Sequence, residues 1–204
     1  MAYTIWENLE QVERYARKRY RHWDQRWISH REENLIANLF TRHNLEGPIL
    51  DVPVGYGRFQ KLLSRFGPIQ ALDFNYYAVL YQQAKLGLAS GSVTGLAEAL
   101  PYKDGSFETV FSLRLLQHIH EREQRVAILK EFKRVSRRWV VASLYIKTPL
   151  HRLHRRIFRQ PSRITMISHE GLLEEARVSG LKLVTRLSVV PGLHAHRICL
   201  FSVE

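Results

Sequence analysis

Residues 49–63 read ILDVPVGYGRFQKLL, and the way this stretch folds decides the architecture. An apolar run ends in Asp51, Gly55 and Gly57 follow with one residue between them, and an amphipathic helix pattern takes over. Strand, tight glycine loop and helix, in that order, present backbone N–H groups to a nucleotide-like ligand. The loop is not of the dinucleotide kind, because Gln60 stands where the third small residue of G-x-G-x-x-G would let helix and strand approach. No G-K-S/T follows, which excludes the phosphate loop of nucleoside triphosphatases. Pro53 stands where such loops usually begin with glycine. Proline holds φ near about −65° and removes one N–H donor. It is harmless if the turn needs only a negative φ, and weakens binding if the donor or a positive φ is required.

The flanks extend the pattern in both directions. Downstream, strands are expected near 48–53, 69–73, 91–94, 107–112, 138–146, 182–190 and 194–203. Helices are expected near 57–66, 75–87, 121–136 and 168–179. Strands separated by helices imply parallel pairing with right-handed crossovers. Pro191-Gly192 between the last two strands predicts an antiparallel hairpin. The fold class is therefore α/β, a doubly wound Rossmann-like sheet, mostly parallel, with an antiparallel C-terminal hairpin and N-terminal helices. Upstream, Ile5, Leu9, Val12, Ala16, Tyr20, Trp23 and Trp27 recur at steps of three or four, one face of a helix, with arginines on the other face. Core packing is the expectation for Trp23 and Trp27. Ser29 with Glu32 reads as a capping box opening a second helix that runs to about His43.

Composition narrows the class. The 204 residues suit a single domain: an N-terminal helical extension over 1–45, a cofactor-binding half over 46–146, and a substrate-side, sheet-completing half over 147–204. A formal net charge of +12 favours anionic partners such as nucleic acid, anionic lipid or a phosphorylated substrate. The lone Cys199 excludes an intrachain disulfide, and no cluster has zinc-ligand spacing. The first residues lack the apolar core of a signal peptide, and no apolar run is long enough to span a bilayer. A cytoplasmic protein is expected, or one peripheral at a membrane surface.

The glycine loop does not stand alone. IQALDFN places Asp73 at the end of the second strand, 22 positions after Asp51, where a carboxylate can accept hydrogen bonds from ribose hydroxyls. VTGLAEALPYKDGSFETVFSLRLLQHI follows. With these segments in order, the chain resembles the class I S-adenosylmethionine-dependent methyltransferases, in particular their small type 11 members. Their L-D-V-G-C-G-T-G-R-F, V-D and D-A-E-x-L-P-F-x-D-x-S-F-D-V-V correspond here to L-D-V-P-V-G-Y-G-R-F, L-D-F and L-A-E-A-L-P-Y-K-D-G-S-F-E-T-V. The likeness is strong over roughly residues 45–145 and loose beyond.

The resemblance implies S-adenosylmethionine as cofactor and S-adenosylhomocysteine as product. It implies that Asp51, Pro53, Gly55 and Gly57 shape the loop beneath the methionine part. Asp73 would bind the ribose, Phe74 would lie against the adenine, and Ala97 would meet the adenine edge with Glu98 beside it. Ser112 and Leu113 would border the methionine end. Leu96 departs from the family, where an Asp often accepts from the adenine amino group; losing one such bond costs on the order of 1 kcal/mol. An amine or hydroxyl acceptor needs a base, for which His118 and His120 are candidates, His118 first. Substrate elements are expected in the basic N-terminal helix and in KTPLHRLHRRIFRQPSR, where Arg152, Arg155, Arg156 and Arg159 share a helical face suited to anions. The expected activity is methyl transfer to an anionic, phosphate-bearing acceptor: a lipid or lipopolysaccharide precursor, RNA or a phosphorylated metabolite. A methyltransferase-like regulatory or scaffolding protein with a protein partner is the alternative, and a nucleic-acid-binding module without chemistry a third.

Overall fold

The computed structural model describes residues 6–147, 164–190 and 195–204. Two helices, α1 (Leu9–Lys18) and α2 (Trp23–His43), precede the sheet. The strands are β1 (Ile49–Asp51), β2 (Ile69–Asp73), β3 (Gly91–Thr94), β4 (Phe107–Ser112), β5 (Ser136–Ile146), β6 (Met166–Ile167), β7 (Leu181–Ser188) and β8 (His196–Val203). Between them lie α3 (Gln60–Leu63), α4 (Tyr76–Tyr81), α5 (Arg122–Val135) and α6 (His169–Val178). The strand order is β3-β2-β1-β4-β5-β8-β7, with the short β6 paired to β5. The first five strands pair in parallel, and β8 runs antiparallel to both β5 and β7. The expected strands thus form a single sheet. Only the two-residue β6 had no sequence signal of its own. The turn expected at Pro191-Gly192 lies outside the described residues.

Alternation along the strands splits the core into two layers. Leu50, Val110, Val140 and Phe201 join one apolar cluster, to which α5 contributes Ile128 and Phe132 and α6 contributes Leu172 and Ala176. Their strand neighbours Ile49, Phe111, Val141 and Leu200 join the other, with Ile36, Leu39 and Phe40 of α2 and Leu63 of α3. Successive side chains of a strand point to opposite faces, so helices cover both sides. The order of the strands reverses between β1 and β4, and it is there, at the strands' C-terminal ends, that a doubly wound sheet opens a crevice.

The N-terminal region corrects three expectations. The single stripe from Ile5 to Trp27 is broken after Lys18, and the chain turns through Arg19–His22 before α2 begins. No Gly or Pro causes this break. A tertiary contact accompanies it, for Tyr20 lies in the turn with the Arg58 guanidinium 4.5 Å from its ring centre. Because α2 starts at Trp23, Ser29 and Glu32 sit inside it and make no capping box; Ser29 Oγ donates to Glu33 Oε1 instead. Trp23 and Trp27 are not core residues but are 78% and 52% exposed.

Candidate active site

The glycine loop is tied to the strands on either side of β1. Val52 donates its N–H to Phe111 C=O of β4, and Val54 donates to Leu72 C=O of β2, both at 2.9 Å. Gly55, at φ 55°, donates its N–H to Asp73 Oδ2 at 2.8 Å, while Asn75 N–H occupies Oδ1 at 2.9 Å. Gly57, at φ 75°, closes the turn on Val54 C=O. Pro53, after a cis Val52–Pro53 peptide, lines the cavity, and the donors that anchor the loop come from its neighbours.

The two glycines differ. A Cβ on Gly57 would lie 2.3 Å from Leu86 Cδ1, so this position serves internal packing. A Cβ on Gly55 would meet nothing within 4 Å, because it would enter the open space above the loop. That space is a cavity of about 360 Å³, walled by the ends of β1, β2, β4 and β5 and by the α1–α2 region. Trp6, Tyr15, Tyr20, Tyr56, Phe59 and Phe111 give it aromatic walls. Trp6 is held there by its carbonyl, which accepts from Asn75 Nδ2 at 3.0 Å.

Two buried carboxylates open onto the cavity. Burial raises the Asp73 pKa to about 6, against the backbone N–H groups of Asn75, Gly55 and Phe74, which lower it. Burial and then the charge of Asp73 push Asp51 well above the usual carboxylate range. Asp51 makes no side-chain hydrogen bond or ion pair among the described residues. A buried carboxylate without a partner is costly and calls for a donor or cation from a ligand. Asp73 keeps acceptor capacity, since an ionised carboxylate offers about four lone-pair positions and three backbone N–H groups face it.

The opposite wall is basic and is organised by a residue that sequence reading misses. Glu32 of α2 is fully buried, with Oε2 2.6 Å from Arg58 Nη1 and Oε1 2.7 Å from Arg114 Nη2. His196 Nδ1 of β8 lies 3.2 Å from Oε1. Burial by itself would raise the Glu32 pKa, but the His196 hydrogen bond and the charges of Arg114 and Arg58 prevail and hold it at about 2. Arg58 also donates to Ser29 C=O and Oγ. Arg114 sits at φ 65°, an uncommon backbone region for a non-glycine residue, with its N–H on Ser143 Oγ at 2.8 Å. The one available signal was a carboxylate in the apolar stripe of Ile36, Leu39 and Phe40, where a helix normally buries hydrocarbon. Arg19 joins this wall and makes no ion pair among the described residues.

Of the residues singled out in the sequence, Asp51, Pro53, Gly55, Asp73, Phe74, Leu113 and His118 line the cavity. Gly57 lies in the loop beneath it, and Ser112 is buried at the end of β4. Ala97 and Glu98 are not part of the wall; Ala97 packs into the core and Glu98 is exposed, accepting from Gln124. Burial, Arg114 and His120 all lower the His118 pKa, and Gln117 Nε2 lies 3.3 Å from its Nε2. His120 is exposed and pairs with Thr165 Oγ1. Arg152, Arg155, Arg156 and Arg159 lie outside the described residues. Among the described residues no cluster of His, Cys, Asp or Glu could hold a metal ion, and no helix is long and apolar enough to cross a membrane.

The geometry agrees with what the chain is similar to. Residues 50–139 match the family model of the methyltransferase domain. A magnesium protoporphyrin IX methyltransferase from Synechocystis PCC 6803, solved with bound SAH, superposes with a TM-score of 0.78 at 19% identity, covering 97% of this chain and 96% of that one. A possible histamine N-methyltransferase from Thermotoga maritima superposes with a TM-score of 0.63 at 18% identity, covering 97% and 100%. A putative methyltransferase solved in complex with the Haloferax volcanii Trm112 activator has a TM-score of 0.62 at 15% identity, covering 87% and 96%. No curated protein matches the sequence. Residues 50–139 thus match a methyltransferase domain, and the chain as a whole has the fold of these solved methyltransferases. The domain match supports methyl transfer, and the Synechocystis enzyme has been solved with SAH and with SAM bound. The residues of this chain fit S-adenosylmethionine: a partnerless buried carboxylate at Asp51, lone pairs left on Asp73, open space above Gly55, and aromatic faces that attract a sulfonium cation.

Proposed function

We propose that the acceptor of the methyl group carries an anionic group, with phosphate the best match, and that it lies on the β4–β5 side of the cavity. The observation that carries this reading is the sequence of charges along the sheet edge. From β2 through β1 and β4 to β5, the strand ends present Asp73, Asp51, Leu113 with Arg114, and Tyr145. Neighbouring strands are about 4.8 Å apart, so the charge at the sheet edge reverses within one or two strand spacings. Glu32 balances one of the two arginines it touches, and Arg19 adds a further positive charge. This wall suits an anion, and the Asp51–Asp73 wall suits hydroxyls and a cation.

When bound, S-adenosylmethionine supplies an electrophilic methyl carbon on a positively charged sulfur. Asp73 accepts from the ribose hydroxyls, Asp51 balances positive charge, and the aromatic walls exclude water. Arg19 and Arg114 orient the acceptor, which turns the reaction into a proximity problem. His118, neutral at pH 7 because its pKa is lowered, takes the proton from a hydroxyl or amine nucleophile.

Matched phosphorylated and dephosphorylated acceptors, assayed for methyl transfer, test the reading. Arg19→Gln is expected to raise KM for the phosphorylated member about tenfold while S-adenosylhomocysteine affinity holds. His118→Gln is expected to lower kcat by roughly a hundredfold or more. Equal turnover of both members of every pair would dismiss the anionic acceptor while leaving the methyltransferase assignment intact.

A further inference from the structure

The outer face of α2 has no part in the cavity or the core. Trp23 and Trp27 stand one helical turn apart and are the two most exposed tryptophans of the described chain. Trp23 lies nine residues before the buried Glu32, about two and a half turns, and so points away from the sheet. Arg26, His30 and Arg31 share this outer side. The Arg31 guanidinium lies 5.7 Å from the Trp27 ring centre. Lys18 at the end of α1 and Arg21 in the turn before α2 are exposed, and neither they nor Arg26 makes an ion pair among the described residues. Asp24 is the only acidic residue between Lys18 and Arg31.

We propose that this face docks on an anionic lipid surface, with Trp23 and Trp27 entering the headgroup layer and Lys18, Arg21 and Arg26 meeting the lipid charges. An indole with an apolar body and an N–H donor suits the membrane interface. Each Lys or Arg beside an anionic leaflet strengthens binding roughly fivefold. The shape selects lipid over single-stranded nucleic acid. Sequence-tolerant nucleic-acid sites line a groove with stacking platforms. Here Trp23 is 78% exposed at the start of the helix, while Trp27 borders a shallow hollow of about 300 Å³ with His30, Arg31 and Asn34 and has one face covered by Arg31, so the two indoles form no continuous stacking platform. Placement adds a functional consequence: Arg19 and Tyr20, which line the cavity, lie four and three residues before Trp23. Docking through α2 would bring the mouth of the cavity to the surface and give access to an amphiphilic acceptor. The docking itself is independent of which acceptor is methylated.

Cosedimentation and tryptophan emission with phosphatidylglycerol vesicles, against phosphatidylcholine vesicles, test the proposal on the full chain. The parent is expected to bind phosphatidylglycerol with a blue-shifted emission, to bind phosphatidylcholine at least about tenfold more weakly, and to release as salt rises. The double variant Trp23→Ala with Trp27→Ala is expected to lose roughly tenfold or more in vesicle binding, with its melting temperature and S-adenosylhomocysteine affinity unchanged. Trp23→Phe with Trp27→Phe should recover much of the loss. Arg21→Gln with Arg26→Gln should weaken binding to phosphatidylglycerol and leave the residual phosphatidylcholine binding unaltered. The proposal is overturned if the parent does not bind phosphatidylglycerol vesicles at low salt, or if the alanine pair binds them as well as the parent. It is also overturned if a uridine oligonucleotide displaces the protein from vesicles and gives the larger spectral change, or if the tryptophans prove to be covered by a second copy of the chain in sedimentation.

Discussion

Gly55 donates its backbone N–H to Oδ2 of Asp73 at 2.8 Å, so the carboxylate at the end of β2 is also the strut that holds the glycine loop at the end of β1. On the proposed function, ribose binding and loop geometry depend on one side chain. Asp73→Asn keeps the shape but replaces one acceptor oxygen by a donor, so it cannot receive both Gly55 and Asn75. S-adenosylhomocysteine affinity is expected to fall by about 2 kcal/mol in titration calorimetry, with the sheet intact by circular dichroism. Unchanged affinity would remove Asp73 from the cofactor site.

The pKa of Asp73, raised to about 6 by burial, sets a pH dependence. Its folded value lies above the ordinary one, so its contribution to stability is fully present at low pH and is lost as pH rises through about 6. A ligand that donates hydrogen bonds to the ionised carboxylate reverses that loss. S-adenosylhomocysteine is expected to raise the melting temperature more at pH 8 than at pH 5, and its affinity should weaken on acidification through about pH 6. A flat profile across that window would contradict the assignment.

Glu32 joins α2 to the basic wall of the cavity. Glu32→Gln leaves Arg58 and Arg114 buried together without their counter-charge, a loss of about 3 kcal/mol. That corresponds to a fall of roughly 6–12 °C in the melting temperature. The Glu32 pKa is depressed to about 2, so the stabilisation is present above its ordinary value near 4.5 and lost as pH falls towards 2. The stability difference between parent and variant should therefore narrow in that acid range, a trend read from denaturant melts at several pH values.

Gly55 and Gly57 separate binding from folding. Gly57→Ala drives a methyl into Leu86 at a positive φ and should lower stability by about 2 kcal/mol or more. Gly55→Ala meets open space, so its stability cost is only the strain of positive φ, about 1 kcal/mol. On the proposed function its methyl enters the cofactor's space, and S-adenosylhomocysteine affinity should drop by more than tenfold. Similar effects of the two variants on both measurements would refute the division.

The sequence by itself determined the sheet and the loop with its two carboxylates at the sheet edge. Its signals there are local: short apolar runs, glycines where φ is positive, and carboxylates at the ends of β1 and β2. It also contained a misleading pattern, because the stripe through Tyr20, Trp23 and Trp27 continues smoothly in helical period across a real break. Periodicity reports which residues could share a face; it does not report that Tyr20 stacks on Arg58 while Trp23 and Trp27 face outward. Only the tertiary structure decided the basic wall. Glu32, Arg58, Arg114 and His196 come from α2, the glycine loop, the end of β4 and β8. Charges that far apart in the chain have no period and no spacing by which to find one another. Their meeting follows from desolvation, since a buried carboxylate is stable only where folding brings cations to it.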